Sequence, residues 1–136
     1  LIDTCAVSEF TKPKPAPIVD AWFGSIPDHT DYISVLTLGE LEKGITRLAG
    51  GRRRSSLERW FADLRDRFAG RIIGIDEPIA LEWGRISARC ESSGQPIPVI
   101  DALLGATAIV NGLSVVTRNT SDIARTGAPL VDPWQP

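Results

Sequence analysis

The sequence predicts an α/β fold, a mostly parallel sheet of four or five strands held between helical layers. Two observations predict it. Short apolar and β-branched runs (Leu1–Ile2, Tyr32–Leu36, Arg71–Ile75 and Leu113–Thr117) alternate with segments whose apolar residues recur at helical spacing. The intervening segments also carry helix start and stop signals, as crossovers between parallel strands require. A chain of 136 residues suits one domain, residues 1–136, large enough to bury a core without disulfides.

In order along the chain, Leu1 and Ile2 end a buried strand and lead into Asp3, with the hydroxyls of Thr4 and Ser8 nearby. Prolines at 13, 15 and 17 mark a loop, after which Ile18, Ala21, Trp22 and Ile26 predict a helix. Tyr32–Leu36 reads as the second strand. Thr37, with Glu40 three residues on, has the capping-box pattern for the helix that follows. In that helix Leu38, Leu41, Ile45 and Leu48 form the buried stripe, while Glu40, Lys43 and Arg47 share another face. Gly50 and Gly51 break it. No acid falls between Glu42 and Glu58, so Lys43, Arg47, Arg52, Arg53 and Arg54 make a basic segment, either a solvated turn or a phosphate contact.

Leu57, Trp60, Phe61, Leu64 and Phe68 fit a further helix ending at Gly70. After the third strand, Asp76 is the expected N-cap of a helix with Ile79, Trp83, Ile86 and Cys90 on its apolar face, closed by Gly94. Gln95–Pro98 is a rigid linker. Asp101 then lies at the start of a helix whose stripe is Leu103, Leu104, Thr107 and Ala108 and which Gly112 stops. The fourth strand, Leu113–Thr117, precedes Asp122, and Pro129–Asp132 supplies a short last strand.

Composition narrows the function classes. The net charge is −2, no apolar run approaches bilayer-spanning length, and no signal-peptide pattern opens the chain, so a soluble, cytoplasmic protein is expected. There is no methionine, so the start of the natural chain is expected upstream of Leu1. Cys5 and Cys90 form no C-x-x-C unit and are read as buried free thiols; the lone His29, in a polar loop, rules out histidine-rich metal sites within one chain. P-loop, dinucleotide and nucleophile-elbow motifs are absent, and Cys5 stands where a dehalogenase-type phosphatase needs a second Asp.

In the predicted topology Asp3, Glu40, Asp101 and Asp122 all fall at strand ends or at the helix starts that follow, on the edge where open α/β folds bind ligands. Converging carboxylates repel one another unless a cation or protons neutralise them. An all-oxygen donor set suits hard ions, Mg²⁺ or Mn²⁺. The corresponding chemistry is phosphodiester hydrolysis by a metal-activated water.

Four segments in register (LIDTCAVSE, ISVLTLGELEKGI, IDALLGATA and VTRNTSDI) together with FAGRIIGIDEPIA and the terminal DPW resemble the PIN-domain ribonucleases. More narrowly, they resemble the VapC/FitB toxins of bacterial toxin–antitoxin pairs. The resemblance implies a three-layer α/β/α sandwich, Mg²⁺- or Mn²⁺-dependent cleavage of RNA, a homodimer, and inhibition by a cognate antitoxin through which alone DNA is contacted. It carries Asp3, Glu40, Asp101 and Asp122 onto the family's acidic positions and Thr4, Thr37, Thr117 and Asn119 onto supporting polar ones. Asn119 rivals Asp122 for the fourth place, because FitB-type relatives put an acid there. Cys5 departs from the Asn usual after Asp-Thr. An antitoxin helix would lie in a groove between helices, with Trp22, Trp60 and Trp83 candidates for lining it, the dimer interface or simply the core. A catalytically inert PIN fold that binds RNA or holds a DNA-binding antitoxin is the alternative, and a nuclease acting on DNA would use the same metal chemistry.

Overall fold

The computed structural model describes residues 1–136. Four two-residue strands, β1 (Ile33–Ser34), β2 (Ile72–Ile73), β3 (Val115–Val116) and β4 (Leu130–Val131), form two parallel pairs, β1–β2 and β3–β4. Ile2 bridges Ile33 on one side and Val116 on the other, both in parallel, and so joins the pairs into one sheet. The strand order is therefore β2, β1, Ile2, β3, β4. The chain leaves the centre toward β2, then returns across Ile2 to build the other half. Asp3, directly after Ile2, stands at the point where that order reverses.

Seven α-helices surround the sheet: α1 (Thr4–Val7), α2 (Pro17–Ser25), α3 (Val35–Thr46), α4 (Arg52–Arg67), α5 (Glu77–Ser92), α6 (Val99–Asn111) and α7 (Thr120–Thr126), with a 3₁₀ turn at Ser8–Thr11. Alternation along the strands sorts the core to two faces. Ile2, Ile33 and Val116 pack with Ala6, Val7, Leu41, Leu64 and Phe68 from α1, α3 and the α4 end. Leu1 and Val115 face the other way, onto Leu104 and Ala108 of α6 and Ile123 of α7. A further apolar cluster of Ile79, Ile86, Cys90, Ala102 and Ala106 locks α5 to α6. The sheet thus lies between helical layers, as expected, although its strands are shorter than the apolar runs suggested.

Two helix boundaries and two short helices correct the sequence reading. α3 begins at Val35, and its cap is Ser34, whose Oγ accepts the Leu36 N–H at 3.0 Å. The Thr37–Glu40 capping box does not form. Thr37 is buried inside the first turn, its hydroxyl directed to the Ile2 carbonyl at 3.4 Å. α4 begins at Arg52, so Arg52, Arg53 and Arg54 are its first turn rather than a preceding loop. Helices α1 and α7 were not anticipated; both are short, and α7 has only Ile123 and Thr126 buried. Asp76 caps α5 through the Ile79 N–H as predicted, and Gly112 ends α6 in the left-handed conformation.

Candidate active site at the switch point

Each acid is placed by a different piece of backbone. Asp3 is the N-cap of α1: one carboxylate oxygen accepts the Thr4 N–H at 2.7 Å, and the other accepts the Thr117 hydroxyl at 2.7 Å. Glu40 projects from α3, the helix that follows β1. Asp101 lies in the first turn of α6 and Asp122 in the first turn of α7, just after β3.

The electrostatics show that these groups share one region. Burial, then the charge of Asp3 and more weakly that of Asp101, push the Glu40 carboxyl above the usual glutamate range. Burial, then Asp122 and Asp3, raise Asp101 likewise. The four acids do not form a closed ligand set, since no three His, Cys, Asp or Glu side chains are grouped so as to hold one ion. Mutual repulsion is the physical reason to expect such spacing.

Asp122 is the exception. Asn119 Nδ2 donates to its Oδ2 at 3.0 Å, and Arg125, one helical turn on, pairs with its Oδ1. These two contacts hold its carboxyl below the usual range. The same guanidinium donates to the carbonyls of Gln95 and Pro96 at 3.1 and 3.0 Å. Arg125 therefore ties α7 to the linker that leads into α6 and Asp101. Sequence reasoning missed it because the i,i+3 pair becomes visible only once residues 120–126 are known to be helical.

The supporting polar residues divide. Thr117 anchors Asp3 and also accepts the Asn119 N–H at 3.0 Å. Thr37 does not reach an acid. Thr4 Oγ1 is buried without a hydrogen-bond partner, yet near enough to Glu40 to oppose its upward shift. Cys5 is half-buried rather than buried. Its thiol contacts Asp3 Oδ2 at 3.5 Å and accepts the Arg118 N–H at 3.3 Å, so it serves as both donor and acceptor between α1 and the end of β3.

Beside the acids lies an open cavity of about 450 Å³ lined by Glu40, Lys43, Gly44, Arg47, Ile100 and Asp101. Two acids and two bases thus face one space. Of the arginines at the start of α4, Arg54 is engaged by Glu58 at 2.9 Å and by the Leu48 carbonyl, while Arg52 and Arg53 are exposed.

Fold and site together define an open parallel α/β protein with carboxylates gathered at its topological switch point. The PIN domain family model matches residues 1–129, and the chain belongs to that family. It is 33% identical to Toxin FitB of Neisseria gonorrhoeae over 98% of this chain and 97% of that one. It is 31% identical to VapC ribonuclease Y4jK of Sinorhizobium fredii over 100% of this chain and 98% of that one. The crystal structure of FitAcB from Neisseria gonorrhoeae superposes with a TM-score of 0.93 at 32% identity, covering 99% of this chain and 98% of that one.

Proposed function

We propose that this chain is a metal-dependent endoribonuclease and the toxin of a toxin–antitoxin pair, with Asp3, Glu40, Asp101 and Asp122 as its acid site. The observation that carries the reading is the convergence of four carboxylates from four elements, two of them, Glu40 and Asp101, with proton affinity raised by burial and by the charge of Asp3. Such a cluster is relieved by a cation. The donor set fits Mg²⁺ or Mn²⁺, being all oxygen, with the unpartnered Thr4 hydroxyl beside it. Asp3, Glu40 and Asp101 would hold the ion. When bound, it lowers the pKa of water and offsets charge building on a phosphodiester.

The chain's own residues supply the rest. Thr117 and the Thr4 N–H fix the Asp3 carboxylate. Asn119 and Arg125 hold Asp122 ionised and in place, which favours an outer, orienting role for it. Lys43 and Arg47 draw RNA phosphates into the cavity they share with Glu40 and Asp101. The Arg52–Arg54 turn is a secondary contact at most, since Arg54 is already engaged.

The names of the similar proteins, a FitB toxin and a VapC ribonuclease, support the toxin and RNA assignments. The cognate antitoxin is the partner we assign, and the functional unit is a homodimer that meets DNA only through it. An apolar antitoxin helix suits the groove where Phe10, 38% exposed, lines a cavity with Trp60 and Leu64.

Asp101→Asn tests the function. RNA cleavage in Mg²⁺ or Mn²⁺ should fall by at least about 100-fold with the fold unchanged; undiminished cleavage by a clean preparation rejects the assignment. A second reading, an inert module that binds RNA without cutting it, is favoured by the separation of the carboxylates. It is supported instead if the native chain binds RNA and leaves it intact with either ion.

A further inference from the structure

Lys43 and Arg47 reach their cavity from α3, the helix that follows β1, with Ile100 and Asp101 of α6 lining it opposite them. An uncommitted cation lies on the β3 side. Arg118 follows Thr117, the residue whose hydroxyl binds Asp3, and its own N–H donates to Cys5, so its backbone is rooted against the acid site. The side chain is exposed and takes part in none of the ion pairs of the molecule. Its charge reaches the nearby Glu9 only through space, for that carboxylate is already bonded by Lys12 and the Ala16 N–H.

The guanidinium instead sits over the Trp134 ring, 5.2 Å from its centroid. Trp134 is a fixed base for it: the indole packs against the core cluster around Ile2 and Val116, and the Trp134 backbone N–H donates to Asp132 Oδ1 at 3.0 Å. An exposed guanidinium over an aromatic ring, on a residue adjacent to the one that binds Asp3, offers a planar charged group within one side chain's reach of the acid site. Unpaired nucleobases stack on such surfaces, and phosphates are drawn to their charge.

We propose that Arg118 and Trp134 form a docking element for one unpaired nucleotide of the RNA substrate, at the end of β3, whereas Lys43 and Arg47 belong to the helix that follows β1 on the other side of Ile2. The strand then crosses the acid site between two cationic supports, one that grips phosphate and one that also stacks a base. This rests on the ribonuclease reading above. It adds a demand for single-stranded RNA at this position, since a base within a duplex cannot leave its neighbours to stack on a guanidinium.

The test is the affinity of the native chain for a fluorescently labelled single-stranded oligouridine, by anisotropy in EDTA across a salt series, so that binding is read apart from cleavage. Arg118→Ala should weaken binding about tenfold and reduce the salt slope by about one. Arg118→Lys, which keeps the charge and loses the planar group, should restore the slope and not the affinity. Arg85→Ala, removing an exposed arginine paired to Glu82 on α5, is the control for charge alone and should change neither. Wild-type affinity and slope in Arg118→Ala, or full affinity in Arg118→Lys, would overturn the proposal. Failure of the native chain to cut RNA in Mg²⁺ or Mn²⁺ is a separate outcome and counts against the ribonuclease reading, whatever the Arg118 variants do.

Discussion

Asp3 has both carboxylate oxygens bonded by its own protein, Asp122 has both oxygens bonded by Asn119 and Arg125, and Glu40 and Asp101 are left to carry the repulsion of the cluster. The placement of Asp3, Asp101 and Asp122 at a strand end or in a first helical turn was legible in the sequence, because these features can be read from periodicity and turns. Glu40 instead lies in the second turn of α3, about one turn deeper than its capping-box position implied. The partners of these acids were not legible. Thr117 meets Asp3, and the Arg118 N–H meets Cys5, across more than a hundred residues of chain, and no local pattern encodes those contacts. Glu9 shows the same limit. Its side chain is 3% exposed, satisfied by Lys12 at 2.6 Å and the Ala16 N–H at 2.8 Å, which hold its carboxyl below the ordinary value of 4.5. A carboxyl depressed by folding stabilises the protein above its unfolded pKa, and that stability is lost as pH falls through the folded one. The native chain should therefore lose Tm steeply below about pH 4.5, beyond what Glu9→Gln loses, while above that pH the variant is the less stable; parallel melting curves for the two would show that the pair is not formed.

Helix starts carry the site, and the sequence located most of them to within a turn. The failures have two causes. Ser34 and Thr37 are both acceptable caps, and the β-branched, apolar run Ile33–Leu36 masked the earlier one, so the cap falls three residues before the apparent one. α7 escaped because a seven-residue helix with two buried residues has almost no periodicity to read. Its position is set by tertiary contact instead. A Cβ on Gly105 of α6 would stand 2.4 Å from Thr126 Cβ, so the two helices approach more closely there than any side chain allows. Gly105→Ala gains up to about 1 kcal/mol of helix propensity but must push α7 away, at a cost of about 1–3 kcal/mol. We expect a net loss of stability in denaturant unfolding, and RNA cleavage reduced by more than that loss of folded protein explains, because Asn119, Asp122 and Arg125 move with α7. Unchanged cleavage in the folded variant would separate α7 from the function.

At the scale of the molecule, the order of elements was enough to deduce a parallel sheet between helical layers, and the fold agrees. The order of strands within the sheet was not deducible from periodicity. It depends on Ile2 pairing with both Ile33 and Val116, a single residue that turns two separate strand pairs into one sheet and puts Asp3 at its switch point. From that position follow the approach of Glu40 from the helix after β1 and of Asp101 and Asp122 from the helices on either side of β3. The proposed metal site accounts for this cost: a cluster that raises its own members' proton affinity weakens the fold it belongs to, and a divalent cation would relieve it. The most direct measurement is thermal melting of the native chain and of Asp101→Asn in a Mn²⁺ series. The native chain should gain about 2.7 kcal/mol at an ion concentration a hundredfold above Kd, a rise of roughly 10 °C in Tm, and the variant should gain little. No saturable rise in the native chain, or an equal rise in both, would contradict the metal site.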